Sequence, residues 1–404
     1  MSNNEVVVIG GGYAGVMAAN RLTQRDDVRV TVVNPREAFV PRLRLHQLVG
    51  GTHEAVVDYR DVLAERVRLV VGSVSRIDAS GRTVQLADGD SIGYDYLIYA
   101  VGSGIPAPQV PGAAEFTYPV VTLEAAQRLR SILFDTPAPA AVTVIGGGPT
   151  GIETAAELAG QGRRVTLVCG SVLAPYLHPK ARRTAHRYLA KLGVKVIEGP
   201  EVTAVGRDAV ELGDGRTLGS AVTIWAAGFG VPELAGRSGL SVDTAGRLLT
   251  DETLTSIDDE RIVAAGDSSA PSDLPFRMSA YTAYCLGAHA ADTVLHRIAD
   301  EQPTPIDLAF PAMCLSFGRD AGIYQLGHKN ETAMRLYFGG IMGKKLKEFA
   351  CEAGIGHLAT EARKPGSHHW FSDGKHRPAL LQAQRDHAAA PVAWNTSGAP
   401  ASRA

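Results

Sequence analysis

The chain contains few cysteines: its 404 residues include only Cys169, Cys285, Cys314 and Cys351. They are widely separated, and no two of them form the C-x-x-C spacing of zinc sites and redox-active dithiols. This scarcity argues against a disulfide framework, a structural zinc site and disulfide reduction. It fits a protein of a reducing compartment.

The chain also lacks an excess of charge and a long hydrophobic run. Its net charge is −2, with 20% charged and 45% hydrophobic residues, which is ordinary for a globular protein. Without a basic excess, we expect no nucleic-acid partner. No apolar stretch is long enough to span a bilayer, and the first residues lack the basic segment of a signal peptide. We therefore expect a cytoplasmic protein whose membrane contact, if it has one, is peripheral and on the inner face.

Two glycine-rich G-x-G-x-x-G motifs are the main feature that is present. Their glycines are Gly10, Gly12 and Gly15 in the first motif and Gly146, Gly148 and Gly151 in the second. Each follows a β-branched run and precedes an alanine-rich stretch, which predicts a strand, a tight turn and a helix. The glycines allow the turn, the approach of a pyrophosphate and close helix packing, and the phosphates lie at the helix N-terminus. Two such motifs predict two dinucleotides with electron transfer between them; the alternative is two unrelated structural turns.

The segments after the two motifs follow the same plan. A second strand is predicted at residues 28–33 and again at 164–168, and a glycine-ended strand at 96–102 and again at 222–228. A later strand ends in Gly266-Asp267 and returns to the first unit. We predict an α/β fold with two Rossmann-like domains and a small C-terminal α+β domain. The predicted ranges are 1–115 with 235–300, then 116–234, then 301–363, and a flexible tail at 364–404.

The two motifs, the glycine-ended strands and Gly266-Asp267 resemble the two-dinucleotide flavoprotein reductases, whose fold is glutathione-reductase-like. Residues 146–153 resemble the NADH-site motif of type II NADH dehydrogenases, and residues from 315 onward are similar to the ferroptosis suppressor proteins. The resemblance covers residues 5–350. It implies bound FAD, NAD(P)H as reductant, and a quinone as acceptor.

By this resemblance, FAD binds at the first motif. The residues expected to hold it are Gly10, Gly12, Gly15, Asn34, Pro35, Arg42, Val101, Gly102, Gly266 and Asp267. Asp267 would bond the ribitol chain, although capping of the following helix is an alternative. A helix from about Ser279 would direct its positive N-terminus at the flavin.

NAD(P)H is expected at the second motif, held by Gly146, Gly148, Gly151 and Gly228. Glu153 would lie close to the nicotinamide; alternatively, it is a first-turn glutamate favoured by the helix dipole. The residue that binds the adenosine ribose is usually acidic, but these positions hold Asn34 and Cys169. Asn34 can still bond a diol, whereas Cys169 leaves the choice between NADH and NADPH open.

The acceptor site is expected on the helix that follows Gly266-Asp267. Tyr281 and Cys285 occupy positions where type II NADH dehydrogenases carry glutamines that face the quinone. We predict that Tyr281 lines the acceptor pocket, with packing beneath the C-terminal domain as the alternative. Two other functions remain open: reduction of a soluble ferredoxin or quinone-like metabolite, and a nucleotide-binding redox sensor with slow turnover.

Residues 341–351 combine lysines with apolar side chains. Lys344, Lys345 and Lys347 lie among Ile341, Met342, Leu346 and Phe349. Such a composition favours a helix on an anionic membrane surface. A solvated surface helix or a homodimer contact has the same composition, so these alternatives remain open.

Overall fold

The computed structural model describes residues 4–105 and 108–389. The strands of this part of the chain are β1 Asn4–Ile9, β2 Val28–Asn34, β3 Ala38–Phe39, β4 Val57–Asp58, β5 Arg68–Val71, β6 Val74–Asp78, β7 Thr83–Leu86, β8 Ser91–Gly93, β9 Tyr96–Tyr99, β10 Thr117–Pro119, β11 Ala141–Ile145, β12 Arg164–Val168, β13 Lys195–Ile197, β14 Val202–Val205, β15 Ala209–Leu212, β16 Thr217–Gly219, β17 Val222–Trp225, β18 Leu248–Thr250, β19 Ile262–Ala264, β20 Ser269–Pro271, β21 Ala312–Phe317, β22 Ala321–Gly327 and β23 Ala333–Gly339. The helices are α1 Tyr13–Leu22, α2 Leu45–Val49, α3 Tyr59–Val62, α4 Ala113–Phe116, α5 Leu123–Asp135, α6 Pro149–Gly160, α7 Pro179–Lys191, α8 Leu234–Arg237, α9 Ala280–Ile298, α10 Gly340–Arg363 and α11 His376–Ala389, with short 3-10 turns at Arg42–Arg44 and Gly266–Ser268.

The first unit is built on a parallel five-stranded sheet with the order β19-β9-β1-β2-β5. The central strand β1 ends in three valines and an isoleucine, residues 6–9, that are all buried, as expected for a parallel sheet covered by helices. The helix α1 follows it directly and packs against α9. Because β19 joins this sheet, the chain returns to the first unit after completing the second.

The second unit repeats this construction. Its parallel sheet has the order β10-β17-β11-β12-β13, and α6 follows the central strand β11 as α1 follows β1. Each unit also carries a three-stranded antiparallel sheet, β6-β7-β8 in the first and β14-β15-β16 in the second. The predicted fold class, two Rossmann-like units, is therefore confirmed. The domain boundaries remain a prediction.

The C-terminal layer consists of the antiparallel sheet β21-β22-β23 and the long helix α10. The sheet and α10 pack closely against each other at Gly322 of β22. A Cβ at that position would lie only 2.5 Å from the backbone nitrogen of Lys344. The strand β21 packs on α6 of the second unit, and α10 packs on α1 of the first. The layer therefore bridges both units.

The segment predicted as a flexible tail contains the helix α11 within residues 364–389. Arg377 on α11 is buried and pairs with Glu252 through two contacts of 2.9 Å. Its guanidinium also donates to the backbone carbonyls of Leu274, at 2.6 Å, and Pro271, at 2.8 Å. The polar composition suggested disorder, but these anchors fix the segment against the first unit. The remaining part of the predicted tail, residues 390–404, lies outside the described residues.

We expect Arg377→Ala to lower the free energy of unfolding by about 3 kcal/mol, because it removes the charged partner of the Glu252 carboxylate and the side-chain donor to the Leu274 carbonyl. Thermal and urea denaturation of the purified protein measure the change. The control is Arg385→Ala, at an exposed position on the same helix. Equal stability of the two variants would show that the Arg377 contacts do not anchor the segment.

Candidate functional site

The first glycine motif forms an open cradle at the start of α1. Gly10 has a φ of +107°, and a Cβ there would overlap the carbonyl oxygen of Ala100. A Cβ on Gly15 would overlap the carbonyl oxygen of Gly10. By contrast, a Cβ on Gly12 would have no atom within 4 Å. The first and third glycines are thus required by backbone packing, whereas the second faces free space beside a helix N-terminus, where a pyrophosphate fits.

Asn34 closes one side of this cradle at the end of β2. Its Oδ1 accepts a hydrogen bond from the backbone nitrogen of Gly11 at 3.0 Å, and its Nδ2 donates to the carbonyl of Arg36 at 2.9 Å. Tyr59 donates from its hydroxyl to the carbonyl of Gly11 at 2.7 Å. The Asn34 amide is therefore fixed at the carboxyl end of the strand, where the adenosine ribose of a dinucleotide lies. The adjoining Pro35 is exposed.

Arg42, Ser103 and Asp267 form a polar group on the other side of the cradle. Arg42 donates to the backbone carbonyl and the hydroxyl of Ser103, both at 3.0 Å. The Ser103 hydroxyl donates to Asp267 at 2.7 Å. Burial raises the pKa of Asp267, while the Ser103 hydrogen bond and the Arg42 charge oppose that rise. The capping alternative for Asp267 is wrong, because the side chain that caps α9 is that of Ser279.

The other predicted FAD residues lie around the same cradle. The Cα of Val101 would be 3.2 Å from a Cβ on Gly10, and a Cβ on Gly102 would be 3.8 Å from an Arg42 nitrogen. A Cβ on Gly266 would be 3.0 Å from the Cβ of Ala14 on α1. The structure thus offers an open pyrophosphate position flanked by amide, guanidinium and carboxylate groups, which fits FAD.

The second glycine motif has the same geometry. Gly146 has a φ of +131°, and a Cβ there would lie 2.6 Å from the carbonyl oxygen of Ala226. A Cβ on Gly151 would overlap the carbonyl oxygen of Gly146, whereas one on Gly148 would have no atom within 4 Å. Gly228, with a φ of +74°, lies just beyond β17. The second cradle therefore fits a second dinucleotide.

Glu153 on α6 lies in a buried polar cluster formed with residues from other parts of the chain. Its carboxylate contacts the Nζ of Lys347 on α10 at 2.9 Å. It also accepts hydrogen bonds from the backbone nitrogen of Ser316 at 2.8 Å and from its hydroxyl at 3.0 Å. His46 lies 3.7 Å from the carboxylate through Nδ1 and 3.4 Å from the Ser316 hydroxyl through Nε2. The first unit, the second unit and the C-terminal layer thus meet at one carboxylate.

The charges of this cluster follow from burial and pairing. Burial acts to raise the pKa of Glu153, but the Lys347 charge and the hydrogen bonds from Lys347 and the Ser316 backbone outweigh it and lower that pKa. Burial acts to lower the pKa of Lys347, and Glu153 raises it above its usual value. Burial lowers the pKa of His46 to about 4. At neutral pH the cluster therefore holds a carboxylate, an ammonium and a neutral imidazole.

A second carboxylate lies one helical turn further along α6. Glu157 is buried and accepts a hydrogen bond from the Thr52 hydroxyl at 2.6 Å. Burial raises its pKa. Nearby, Arg44 pairs with Glu348 of α10 at 2.6 Å, which ties the segment after Asn34 to the C-terminal layer.

The first-turn alternative for Glu153 is wrong, and Lys347 is not part of the lysine-bearing surface. Glu153 is not a first-turn residue, because α6 begins at Pro149 and its first turn carries no acidic side chain. Lys347 does not belong to an exposed lysine face, because it is 5% exposed and paired with Glu153. The arginine and histidine content of residues 42–46 was the available signal for a site at this junction. Contact of Glu153 with the nicotinamide stays a prediction.

Tyr281 lies at the start of α9 and packs among aromatic side chains. Its ring is edge-on to Tyr284, at 5.5 Å between centroids, and to Phe310, at 5.9 Å. Its hydroxyl accepts a hydrogen bond from the backbone nitrogen of Phe371 at 3.5 Å. This environment favours the packing alternative. Contact with an acceptor stays a prediction.

The N-terminal part of α10 exposes several apolar side chains. Ile341 is 67% exposed, Met342 56% and Phe349 68%, and Lys345 is exposed beside them. Among the helices of residues 4–105 and 108–389, none is long and apolar enough to cross a membrane.

Comparison with known proteins shows relatives over most of the chain. An NADH dehydrogenase-like protein of Mycobacterium tuberculosis is 31% identical over 81% of this chain and 89% of its own length. The type II NADH:quinone oxidoreductase Ndh of the same organism is 27% identical over 67% of this chain and 68% of its own length. Ferroptosis suppressor protein 1 of Xenopus laevis is 26% identical over 79% and 88%.

The fold also matches solved structures. The sulfide:quinone oxidoreductase of Aquifex aeolicus superposes with a TM-score of 0.75 over 90% of this chain and 93% of its own, at 19% identity. At this identity the likeness concerns the fold. Residues 4–285 match the family described as pyridine nucleotide-disulphide oxidoreductase. The match confirms the resemblance and the expected cofactors, FAD and NAD(P)H. The chain belongs to the pyridine nucleotide-disulphide oxidoreductase family and is an NAD(P)H-dependent flavoprotein oxidoreductase.

Proposed function

We propose that this protein is an NAD(P)H:quinone oxidoreductase. The observation that carries the proposal is the buried Glu153–Lys347 pair beside neutral His46, at the junction of both units and the C-terminal layer. The absence of C-x-x-C cysteines argues against a disulfide acceptor. The name of the M. tuberculosis relative, a type II NADH:quinone oxidoreductase, agrees with a quinone acceptor.

Bound FAD would supply the electron chemistry, taking electrons from the nicotinamide and passing them to the acceptor. The chain contributes the two cradles, which hold the dinucleotides with their pyrophosphates at helix N-termini. Arg42, Ser103 and Asp267 orient the first dinucleotide through a hydrogen-bonded chain. Burial of the junction excludes water, so its charges act at short range through a medium of low polarity.

The junction also suits a quinone chemically, because a quinone gains negative charge on oxygen as electrons arrive and then takes up protons. The Lys347 ammonium offers a positive charge for that oxygen. Glu153 keeps the ammonium charged despite its burial. His46 lies between Ser316 and Glu153 and can pass a proton, since its imidazole is neutral at neutral pH.

An acceptor screen with the purified protein tests the proposal. NADH or NADPH is supplied with a short-chain quinone, with a ferredoxin, or with no acceptor, and turnover is measured. We expect rapid multiple turnover with the quinone. Turnover with ferredoxin alone would indicate a soluble electron-transfer partner, and slow turnover with every acceptor would indicate a redox sensor.

We also propose that the exposed start of α10 rests on an anionic membrane, from which a lipid-soluble quinone would reach the junction. Ile341, Met342 and Phe349 supply the apolar contact and Lys345 a positive charge. The alternative occupant of this surface is a second copy of the chain.

We expect Ile341→Ser with Phe349→Ser to weaken binding to anionic liposomes by at least about tenfold. The reason is that two apolar side chains are no longer transferred from water into the membrane on binding. Co-sedimentation measures binding, and Phe134→Ser, at an exposed position on α5, is the control. Unchanged liposome binding contradicts the membrane contact. A shift from dimer to monomer in analytical ultracentrifugation would identify the surface as a dimer interface instead.

We expect Gly148→Val to abolish flavin reduction by NAD(P)H while FAD stays bound. The side chain enters space that no protein atom occupies, so it blocks the pyrophosphate and not the fold. Cofactor content and anaerobic loss of flavin absorbance measure the two effects.

The matched variant is Gly12→Val, which we expect to lose FAD and to keep its fold. Loss of FAD from the Gly148 variant, with the fold preserved, would show that the two cradles are assigned the wrong way round. Normal reduction in that variant would remove the second cradle from the reductant site.

A further inference from the structure

The two cradles differ at the position that faces the adenosine ribose. In the first cradle, Asn34 is the last residue of β2, and its Oδ1 accepts a hydrogen bond from the backbone nitrogen of Gly11. In the second, Cys169 follows β12 at the equivalent position, and a Cβ on Gly147 would be 2.9 Å from its Cβ. A thiol is a weak partner for a ribose diol. The second cradle therefore lacks the polar group that the first provides at this point.

A carboxylate from the neighbouring strand stands beside this position. Glu198 directly follows β13, which pairs in parallel with β12, so both strands end at the same edge of the sheet. The backbone nitrogen of Cys169 bonds the carbonyl of Ile197 at 2.9 Å, which sets Glu198 next to it. In the first unit the corresponding strand β5 is followed by Gly72, which carries no side chain.

The Glu198 carboxylate is held in place from two sides. Its Oε1 accepts a hydrogen bond from the backbone nitrogen of Leu173 at 2.5 Å, in the loop that leaves Cys169. Its Oε2 lies 3.4 Å from the Nε2 of His186 on α7. Burial and the negative charge of Glu198 raise the pKa of the Cys169 thiol to about 12. The negative charge of Glu198 therefore lies at the end of the second cradle where the adenosine ribose of a dinucleotide would bind.

We propose that Glu198 replaces the usual acidic residue of the ribose site and makes the second cradle select NADH over NADPH. The extra 2′-phosphate of NADPH carries negative charge, which the fixed carboxylate repels, whereas a ribose hydroxyl can donate to it. This inference specifies the reductant of the proposed function and rests on that function.

Two arginines of α7 are engaged by other groups. The guanidinium of Arg182 donates to the carbonyl of Pro175 at 3.1 Å and to that of Leu177 at 3.4 Å, so it is engaged within its own loop. Arg187 donates to the hydroxyl of Thr184, which contacts Tyr337 of the C-terminal layer. Arg187 is therefore directed toward the C-terminal layer.

The test compares wild type with Glu198→Gln, which keeps an acceptor for the Leu173 nitrogen while removing the charge. Glu201→Gln, at an exposed position three residues later, is the control. Rates of anaerobic flavin reduction are measured with NADH and NADPH, without any electron acceptor. Calorimetry measures equilibrium binding of NAD⁺ and NADP⁺ to the same FAD-loaded proteins.

We expect wild type and Glu201→Gln to favour the nonphosphorylated nucleotide, and Glu198→Gln to reduce that preference about tenfold, the order of one like-charge contact in a partly hydrated site. A wild type that prefers NADPH, or an unchanged ratio in Glu198→Gln, overturns the inference. If neither nucleotide reduces the flavin, the proposed function fails, and the binding ratio still decides the role of Glu198.

Discussion

The buried ion pair between Glu153 and Lys347 joins the second unit to the C-terminal layer at the point where all three parts of the molecule meet. Neither charge can be buried alone without a cost of several kcal/mol, so α6 and α10 must come together. The same carboxylate binds Ser316 of β21 and approaches His46 of the first unit. One paired charge therefore sets the position of the C-terminal layer against both dinucleotide-binding units. We infer that the pair serves the chemistry of the site, because a well-packed apolar pair can stabilise a protein equally well.

The parts of this structure that sequence could predict are those governed by local backbone geometry. Each cradle needs three glycines for separate reasons. The first has a positive φ, the second faces open space, and the third packs against a carbonyl oxygen, so few other residues fit. Both cradles obey that rule, so both were visible as patterns. The β-branched runs of the parallel sheets were visible for a similar reason, because a strand buried on both faces is apolar throughout. The position of Asp267 directly after a strand predicted its place in the site. Its contact with Ser103, and through Ser103 with Arg42, could not be predicted from the sequence.

What the sequence could not indicate depends on contacts between distant segments. Lys344, Lys345 and Lys347 have the same chemistry in the sequence, and only the packing of α10 turns the third toward Glu153. Likewise, the composition of the last segment suggested disorder, whereas Arg377 pairs with Glu252. In each case the deciding partner lies in another domain or layer, beyond the reach of periodicity or spacing.

The most direct test of this account is the rate at which a quinone reoxidises the reduced flavin in the double variant Glu153→Gln with Lys347→Met. This variant removes both charges and leaves no buried charge unpaired. We predict a free energy of unfolding within about 2 kcal/mol of wild type, bound FAD, and strongly slowed reoxidation of the reduced flavin. Reoxidation at the wild-type rate in a folded, FAD-loaded double variant would contradict the account, because the pair would then be only a structural contact.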